Sequence, residues 1–342
     1  MMQLHHTLYI TEPDVTLAYE KQALRITHTD GHSDHIPLHP LENIVSFSRG
    51  EASSALLTAC AQRGIGVSFL TRSGQLRYQI AGPVRGNVLL RKQQYLLSEG
   101  ATERLSLAAS MIRGKIENAA WILARFRRNH PDLENEERES AERFLKSSAD
   151  NIAEIQTDNQ LRGIEGSAAK VYYQVFDSML LTEDPAFHFY GRNRRPPKDP
   201  CNALLSFTYA LLTTDCIQAL ASAGLDPYVG FFHGDRPGKP SLALDIMEEL
   251  RPLLAERLVL RLINLQIMTS DMFESKEDGG VFLSQGGCKI VLQEWNRMKQ
   301  KEVFVPEFTE KIPQGLFPHL QAQQLAQYLR KERSSYKPIR GR

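Results

Sequence analysis

The sequence predicts an α+β protein in which a small β-rich N-terminal domain precedes a larger all-α C-terminal domain. Three features carry that expectation. Residues 1–81 hold short strand-type runs cut by turn formers; Ala81-Gly82-Pro83 then breaks the pattern; and from Leu89 onward apolar residues recur at threes and fours almost to the end. A chain of 342 residues with 42% hydrophobic side chains can form two domains, each with its own core. The same composition excludes wholesale disorder and fibrous architectures.

In chain order, strands are expected at residues 8–10, 15–19, 23–27, 35–38 and 44–47, with an Asp30-Gly31 turn signal before the fourth. Residues 53–62 have the small apolar composition of one helix closed by Gly64, and strand character returns at 66–70 and 76–80. A sheet with one covering helix follows, assigning residues 1–81 to the β-rich domain, 82–90 to a linker and 91–342 to the helical domain. Helices are predicted over 105–128, where Leu107, Met111, Ile112, Ala119, Ile122 and Phe126 form one stripe, and over 142–156, after the acidic stretch 132–139. Further helices fit 160–181, 203–223 with Asn202 as N-cap and Gly224 as stop, 242–268, and 288–301.

Lys plus Arg (41) and Asp plus Glu (40) nearly cancel, so a site for a polyanion must be local. The first six residues have neither the cationic region nor the apolar run of a signal peptide, and the apolar stretch at 203–212 is far shorter than the roughly 20 residues that span a bilayer. Four cysteines without a Cys-x-x-Cys pair argue against zinc ribbons and disulfide scaffolds. The expectation is a soluble protein of the reducing cytoplasm, with no membrane partner.

Three stretches carry chemistry. On a helix, Glu165 shares the stripe of Leu161, Ala168, Ala169, Tyr172, Phe176 and Met179, and a carboxylate in an apolar face requires a cation, a metal ion or a proton. Gly163 and Gly166 thin the helix beside it; the plainer alternative is a salt bridge to an arginine from another helix. His233 follows Phe231-Phe232 and opens a Gly/Pro-rich loop, a place where a lone histidine is usually structural. Asp245 and Glu248 lie three apart on one face near a helix start, where they repel each other unless a cation intervenes, or merely complement the helix dipole, as Glu249 does. One imidazole among carboxylates suits Mg²⁺ or Mn²⁺ better than Zn²⁺, and such an ion serves phosphodiester chemistry. Arg192, Arg194, Arg195 and Lys198, beside Phe187, Phe189 and Tyr190 and stiffened by Pro196-Pro197, form a loop able to contact phosphates and stack on bases. The tail from Arg330 to Arg342 has six positive charges against one negative and is a second phosphate-binding candidate, or simply disordered.

Gly163-Ile164-Glu165-Gly166 with Ala169 and Tyr172, the Phe-His ending before a Gly-rich loop, and Ser241-Leu242-x-x-Asp245-x-x-Glu248 with Arg251-Pro252 resemble the Cas-one family, the CRISPR-associated endonuclease/integrases of spacer acquisition. The loop 191–199 running into Asn202-Ala203-Leu204-Leu205-Ser206 resembles the type I-C branch. The resemblance implies a homodimer formed largely through the N-terminal domains, joined by a dimer of a small partner protein, with an accessory end-trimming nuclease as an optional addition. It implies a complex that inserts short duplex DNA with 3′-OH ends at the leader end of a CRISPR repeat by transesterification. Glu165, His233 and Glu248 carry over as metal ligands; Asp245 is a supporting acidic position, and which of 245 and 248 lies closer to the ion is left open. Rival readings are a tyrosine recombinase using Tyr172, Tyr173 or Tyr190, and a noncatalytic DNA-binding scaffold.

Overall fold

The computed structural model describes residues 6–71, 74–80, 88–193, 196–305 and 309–341. A β-rich N-terminal region is followed by a mostly helical C-terminal region, the α+β division the pattern predicts. Strand β1 (His6–Ile10) is followed by β2 (Thr16–Glu20), β3 (Ala23–Thr27), β4 (Ser33–Pro37) and β5 (Leu41–Ser46). Helix α1 (Ser54–Arg63), β6 (Gly66–Leu70) and β7 (Leu76–Ile80) complete the region. Two sheets form rather than one: a mixed sheet ordered β1-β5-β6-β7 and an antiparallel meander of β2, β3 and β4. The β2–β3 connection is a two-residue turn with Lys21 and Gln22 both at positive φ (48° and 69°), a geometry that fits the strand twist but lacks its usual Asn-Gly signature. Ser53 caps α1 by accepting from the Leu56 amide, and Gly64 ends it at φ 75°.

The helical region begins with α2 (Val88–Glu99), α3 (Ala101–Asn129), α4 (Glu136–Asn151), α5 (Asp158–Gln174) and α6 (Pro200–Ser222). It continues through α7 (Ser241–Leu250), a π-helical stretch Arg251–Glu256, α8 (Arg257–Asn264) and the hairpin β8 (Phe273–Ser275) with β9 (Val281–Leu283). Helix α9 (Gln285–Gln300), the hairpin β10 (Glu302–Val305) with β11 (Glu310–Pro313), and α10 (Phe317–Leu329) follow.

Several expected boundaries move, each for a local reason. Residues 88–90, read as linker, already belong to α2: Leu90 is buried, and Gln94 one turn on holds the carbonyls of Asp226 and Val229 at 2.8 and 2.9 Å. The helix expected over 160–181 stops at Gln174 and tightens into a 3₁₀ turn at Asp177–Met179. The cap of α6 is Asp199, whose carboxylate accepts from the Asn202 amide at 2.7 Å; Asn202 is buried and pins the preceding loop instead. The single helix expected over 242–268 is broken because Pro252 has no N–H for the Glu248 carbonyl, and the backbone widens into the π turn.

Helix α6 is long and apolar enough to cross a membrane, but 83% of its most apolar window is buried inside the fold, where it forms the central core helix. The mixed sheet docks on it. Val45, Phe47 and Leu70 join the helical core, Phe47 stacks on Phe207 at 5.9 Å, and Ser68 accepts from Gln218 at 3.3 Å. Next to this seam, Lys299 of α9 pairs with Asp215 of α6 at 3.0 Å, both buried, and Tyr9 of β1 joins them. The basic tail is folded rather than free: Tyr336 and Ile339 are buried, the Gly341 amide donates to Asn118 at 2.9 Å, and Arg340 pairs with Glu117 at 2.7 Å. Arg342 lies outside the described residues.

Candidate metal centre and nucleic-acid interface

Three segments converge between α3, α5 and α7. A capping box, in which Thr157 and Gln160 satisfy each other's backbone amides, starts α5 and sets its rotation, so that Leu161, Ala168 and Tyr172 face the core. Glu165, at the edge of that stripe, is about a quarter exposed. A Cβ on Gly163 or Gly166 would meet nothing within 4 Å, so these glycines leave open space beside Glu165 rather than seating a neighbouring backbone.

The cation facing Glu165 is a lysine, not the arginine of the plain alternative. Lys115 of α3 hydrogen-bonds Glu165 and lies 2.8 Å from Oε2 of Glu248, which makes no directed hydrogen bond. Carboxylates from two helices thus share one buried positive charge. Burial by itself would push the lysine's pKa down; the charges of Glu248 and Glu165 outweigh it and raise the pKa. Burial would likewise raise Glu248, but Arg251 and Lys115 hold it at about 2. Arg251 Nη1 lies 3.1 Å from Glu248 Oε1.

Asp245 and His233 divide the remaining work. The fully buried Asp245 accepts at Oδ2 from the amides of Phe231 (2.6 Å) and Phe232 (3.0 Å), and at Oδ1 from the His233 amide (2.9 Å) and ring Nδ1 (2.7 Å). All four partners are N–H donors, so its oxygens are spent holding the loop. With Nδ1 donating to Asp245, the other ring nitrogen of His233, Nε2, faces Glu248 Oε1 at 3.9 Å. Gly230 is obligatory here, since a Cβ would lie 2.8 Å from Asp245 Oδ2 and 2.9 Å from Ser241 Cβ. Arg104 and Arg162 brace the loop through the carbonyls of Phe231 (2.9 Å) and Phe232 (2.8 Å).

The donor set fits a hard divalent ion. Two carboxylate oxygens already converge on a cation, and an imidazole is held by a carboxylate through one nitrogen while presenting the other, the usual support for a metal-binding histidine. Geometry separates the two acidic candidates of α7: Glu248 faces the shared charge, and Asp245 faces the loop.

A cavity of about 680 Å³ opens from this cluster, lined in part by Lys115, Glu165, Lys170, Tyr190, Arg192 and Arg251. Of the loop cations, Lys198 is exposed, whereas Arg192 turns inward, donating to Asn193 O, Asn202 Oδ1 and Ser206 Oγ. Arg192 and Arg251 both lie against the Tyr209 ring, at 5.3 and 4.8 Å. Arg194 and Arg195 fall outside the described residues. Tyr190 is 86% exposed. The helical tyrosines are poor nucleophiles: burial first and Glu256 second raise the pKa of both Tyr172 and Tyr173.

Lys115, Arg251, Arg104 and Arg162 were not predicted as site residues. Lys115 had a readable signal, since it interrupts the apolar stripe of α3 between Met111 and Ala119 just as Glu165 interrupts its own. Arg251 had one as well, three residues after Glu248 on the same chain segment, whereas Arg104 and Arg162 had none, because they act through backbone carbonyls distant in sequence.

The chain matches the protein family described as CRISPR associated protein Cas1 over residues 8–297. It is similar to the CRISPR-associated endonuclease Cas1 1 of Chlorobaculum tepidum, 42% identical over 335 residues and covering 98% of each chain. It is also similar to the CRISPR-associated endonuclease Cas1 2 of Rhodospirillum rubrum, 41% identical over 348 residues and covering 99% of each. Among solved structures, a casposase bound to integration product shares its fold at TM-score 0.84 and 21% identity, covering 97% of this chain and 92% of that one. A Cas6-RT-Cas1–Cas2 complex does so at TM-score 0.82 and 23% identity, covering 99% of this chain and 36% of that one.

Proposed function

Since the chain belongs to the CRISPR-associated endonuclease family Cas1, we propose that it is a divalent-metal-dependent DNA integrase that inserts short duplexes with 3′-OH ends into a CRISPR array. The observation that carries this reading is the convergence of Glu165 and Glu248 on one cationic point, with His233 Nε2 turned toward Glu248 by Asp245. Glu165, Glu248 and His233 would hold Mg²⁺ or Mn²⁺. When bound, such an ion supplies Lewis-acid polarisation of a phosphoryl oxygen and favours ionisation of an attacking hydroxyl.

The chain's own residues do the rest. Lys115 and Arg251 balance the two carboxylates, so a divalent ion brings net positive charge to the place where a phosphodiester must approach. Asp245 keeps the His233 ring in one tautomer and orientation, which removes the entropy of ordering it. Lys170 and Tyr190 rim the approach and, with the exposed Lys198 and with Arg194 and Arg195, would steady the phosphate backbone and stack on bases. Arg192 serves that surface as an internal strut. With water in place of a 3′-hydroxyl, the same arrangement cuts DNA.

We assign the chain to a homodimer that works with a dimer of a small CRISPR-associated partner; the shared fold with a Cas6-RT-Cas1–Cas2 complex supports the partner, and the dimeric state rests on the family resemblance. Four free, buried cysteines fit the reducing cytoplasm. The motif of residues 191–199 supports the type I-C branch. The test is integration of a labelled short duplex into a CRISPR-bearing plasmid with Mn²⁺, with and without the partner. Glu165→Ala should fold and bind DNA as the parent does and give no strand transfer; strand transfer by that variant overturns the assignment.

A further inference from the structure

One side chain of the core helix α6 reaches both the basic loop and the metal centre. Tyr209 is buried, and two guanidiniums lie against its ring, Arg192 of the loop at 5.3 Å from the centroid and Arg251 at 4.8 Å. Its hydroxyl donates to Glu256 Oε1 at 2.6 Å, and the Tyr173 hydroxyl of α5 lies 2.7 Å away. Arg251 and Glu256 are the first and last residues of the π-helical stretch, so both ends of that turn grip the same tyrosine. A π turn set among α-helices frequently marks a functional site.

The two arginines depend on the ring unequally. Arg192 has three other acceptors: Asn193 O at 2.6 Å, Asn202 Oδ1 at 2.5 Å and Ser206 Oγ at 3.2 Å. Arg251 has its ion pair with Glu248 Oε1 at 3.1 Å, and its buried Nε makes no hydrogen bond. A guanidinium held at one end can swivel about that contact. The face of Tyr209 prevents this, because a cation is drawn to the negative face of an aromatic ring, most strongly where water is excluded. Tyr209 thus fixes Arg251, and Arg251 fixes Oε1 of Glu248, which leaves Oε2 turned to the cationic point shared with Glu165.

We propose that Tyr209 is a positioning residue for the metal-dependent reaction, its ring holding Arg251, and through it the Glu248 carboxylate, in the orientation a divalent ion needs. This rests on the integrase reading of the same centre. Because the ring acts on a metal ligand, its loss should show in metal affinity and turnover. The duplex still meets a loop that Arg192 anchors through three other bonds, so KM for DNA should stay near the parent's.

The test compares two variants without the ring, Tyr209→Met and Tyr209→Leu, with Tyr209→Phe, which lacks only the hydroxyl; circular dichroism checks that each folds, and either of the first two suffices. Calorimetric titration with MnCl₂ should show affinity weakened about 10-fold without the ring, the lower end of what losing an orienting partner costs, and restored by Tyr209→Phe. Strand transfer should lose kcat by a similar factor, with KM for the duplex nearly unchanged. Tyr209→Leu added to Arg251→Met should weaken Mn²⁺ binding no further than Arg251→Met alone, since the ring acts through that guanidinium. Mn²⁺ bound as tightly without the ring as by the parent, Tyr209→Phe as impaired as Tyr209→Leu, or additive losses with Arg251→Met overturn the proposal while leaving the integrase reading in place. A parent that binds no Mn²⁺ refutes the metal reading itself, and this inference with it.

Discussion

Glu165 and Lys115 follow one rule. A charged side chain at an apolar-stripe position needs an opposite charge, and these two supply it to each other across α5 and α3. The carboxylate was read from the sequence and its lysine partner was not, because a stripe says that a partner exists without naming it. Lys115 stands where Glu165 and Glu248 would share a metal ion, so lysine and metal compete for the same two carboxylates. Lys115→Met should lower the melting temperature of the metal-free protein, since it leaves like charges facing each other in a buried place. It should also enlarge the rise in melting temperature produced by Mn²⁺, because the ion then relieves that repulsion. Thermal scans with EDTA and with Mn²⁺ measure both, and an Mn²⁺ increment no larger than the parent's would sink the competition.

At the scale of elements, α7 presents successive residues to different surroundings. Asp245 faces the loop, Glu248 the shared cation, and Glu249 the folded tail, where it accepts from Tyr336 at 2.6 Å and Gln321 at 2.7 Å. The helix-dipole reading of Glu249 fails because the tail covers it: Glu249 is fully buried, and burial lifts its pKa from 4.5 to about 8. The carboxyl is thus protonated in the fold at neutral pH and ionised in the unfolded chain. Its contribution to stability is complete below pH about 4.5 and is lost as pH rises to about 8. Glu249→Gln keeps the accepting oxygen and cannot ionise, so it should raise stability at pH 7.5, on the order of a few kcal/mol, with the gain vanishing toward pH 4.5. Denaturant melts across that range check it; parallel pH profiles for the two proteins would refute it. The tail's role was hidden because its anchors, Tyr336 and Ile339, are two apolar residues among charges and give no periodic signal.

For the whole molecule, the seam between sheet and helices depends on a triad from three elements: the buried pair Asp215 and Lys299 and the partly buried Tyr9. Lys299→Met should cost roughly 3–5 kcal/mol, the range for stranding one partner of a buried pair, whereas Asp215→Asn combined with Lys299→Met should recover most of that loss. Urea unfolding of the two variants checks this, and additive losses in the double variant would contradict it. The α+β order, most helix cores, the cap of α1 and the candidates Glu165, His233, Asp245 and Glu248 were legible along the chain, because periodicity, caps and charge in an apolar stripe are local properties that short-range sterics and solvation impose. The pairing of Lys115 with two carboxylates, the commitment of Asp245 to a loop, the inward turn of Arg192 and the burial of the tail arose from packing. Each depends on which distant surface excludes water from a side chain, and that is settled only when the helices come together around α6.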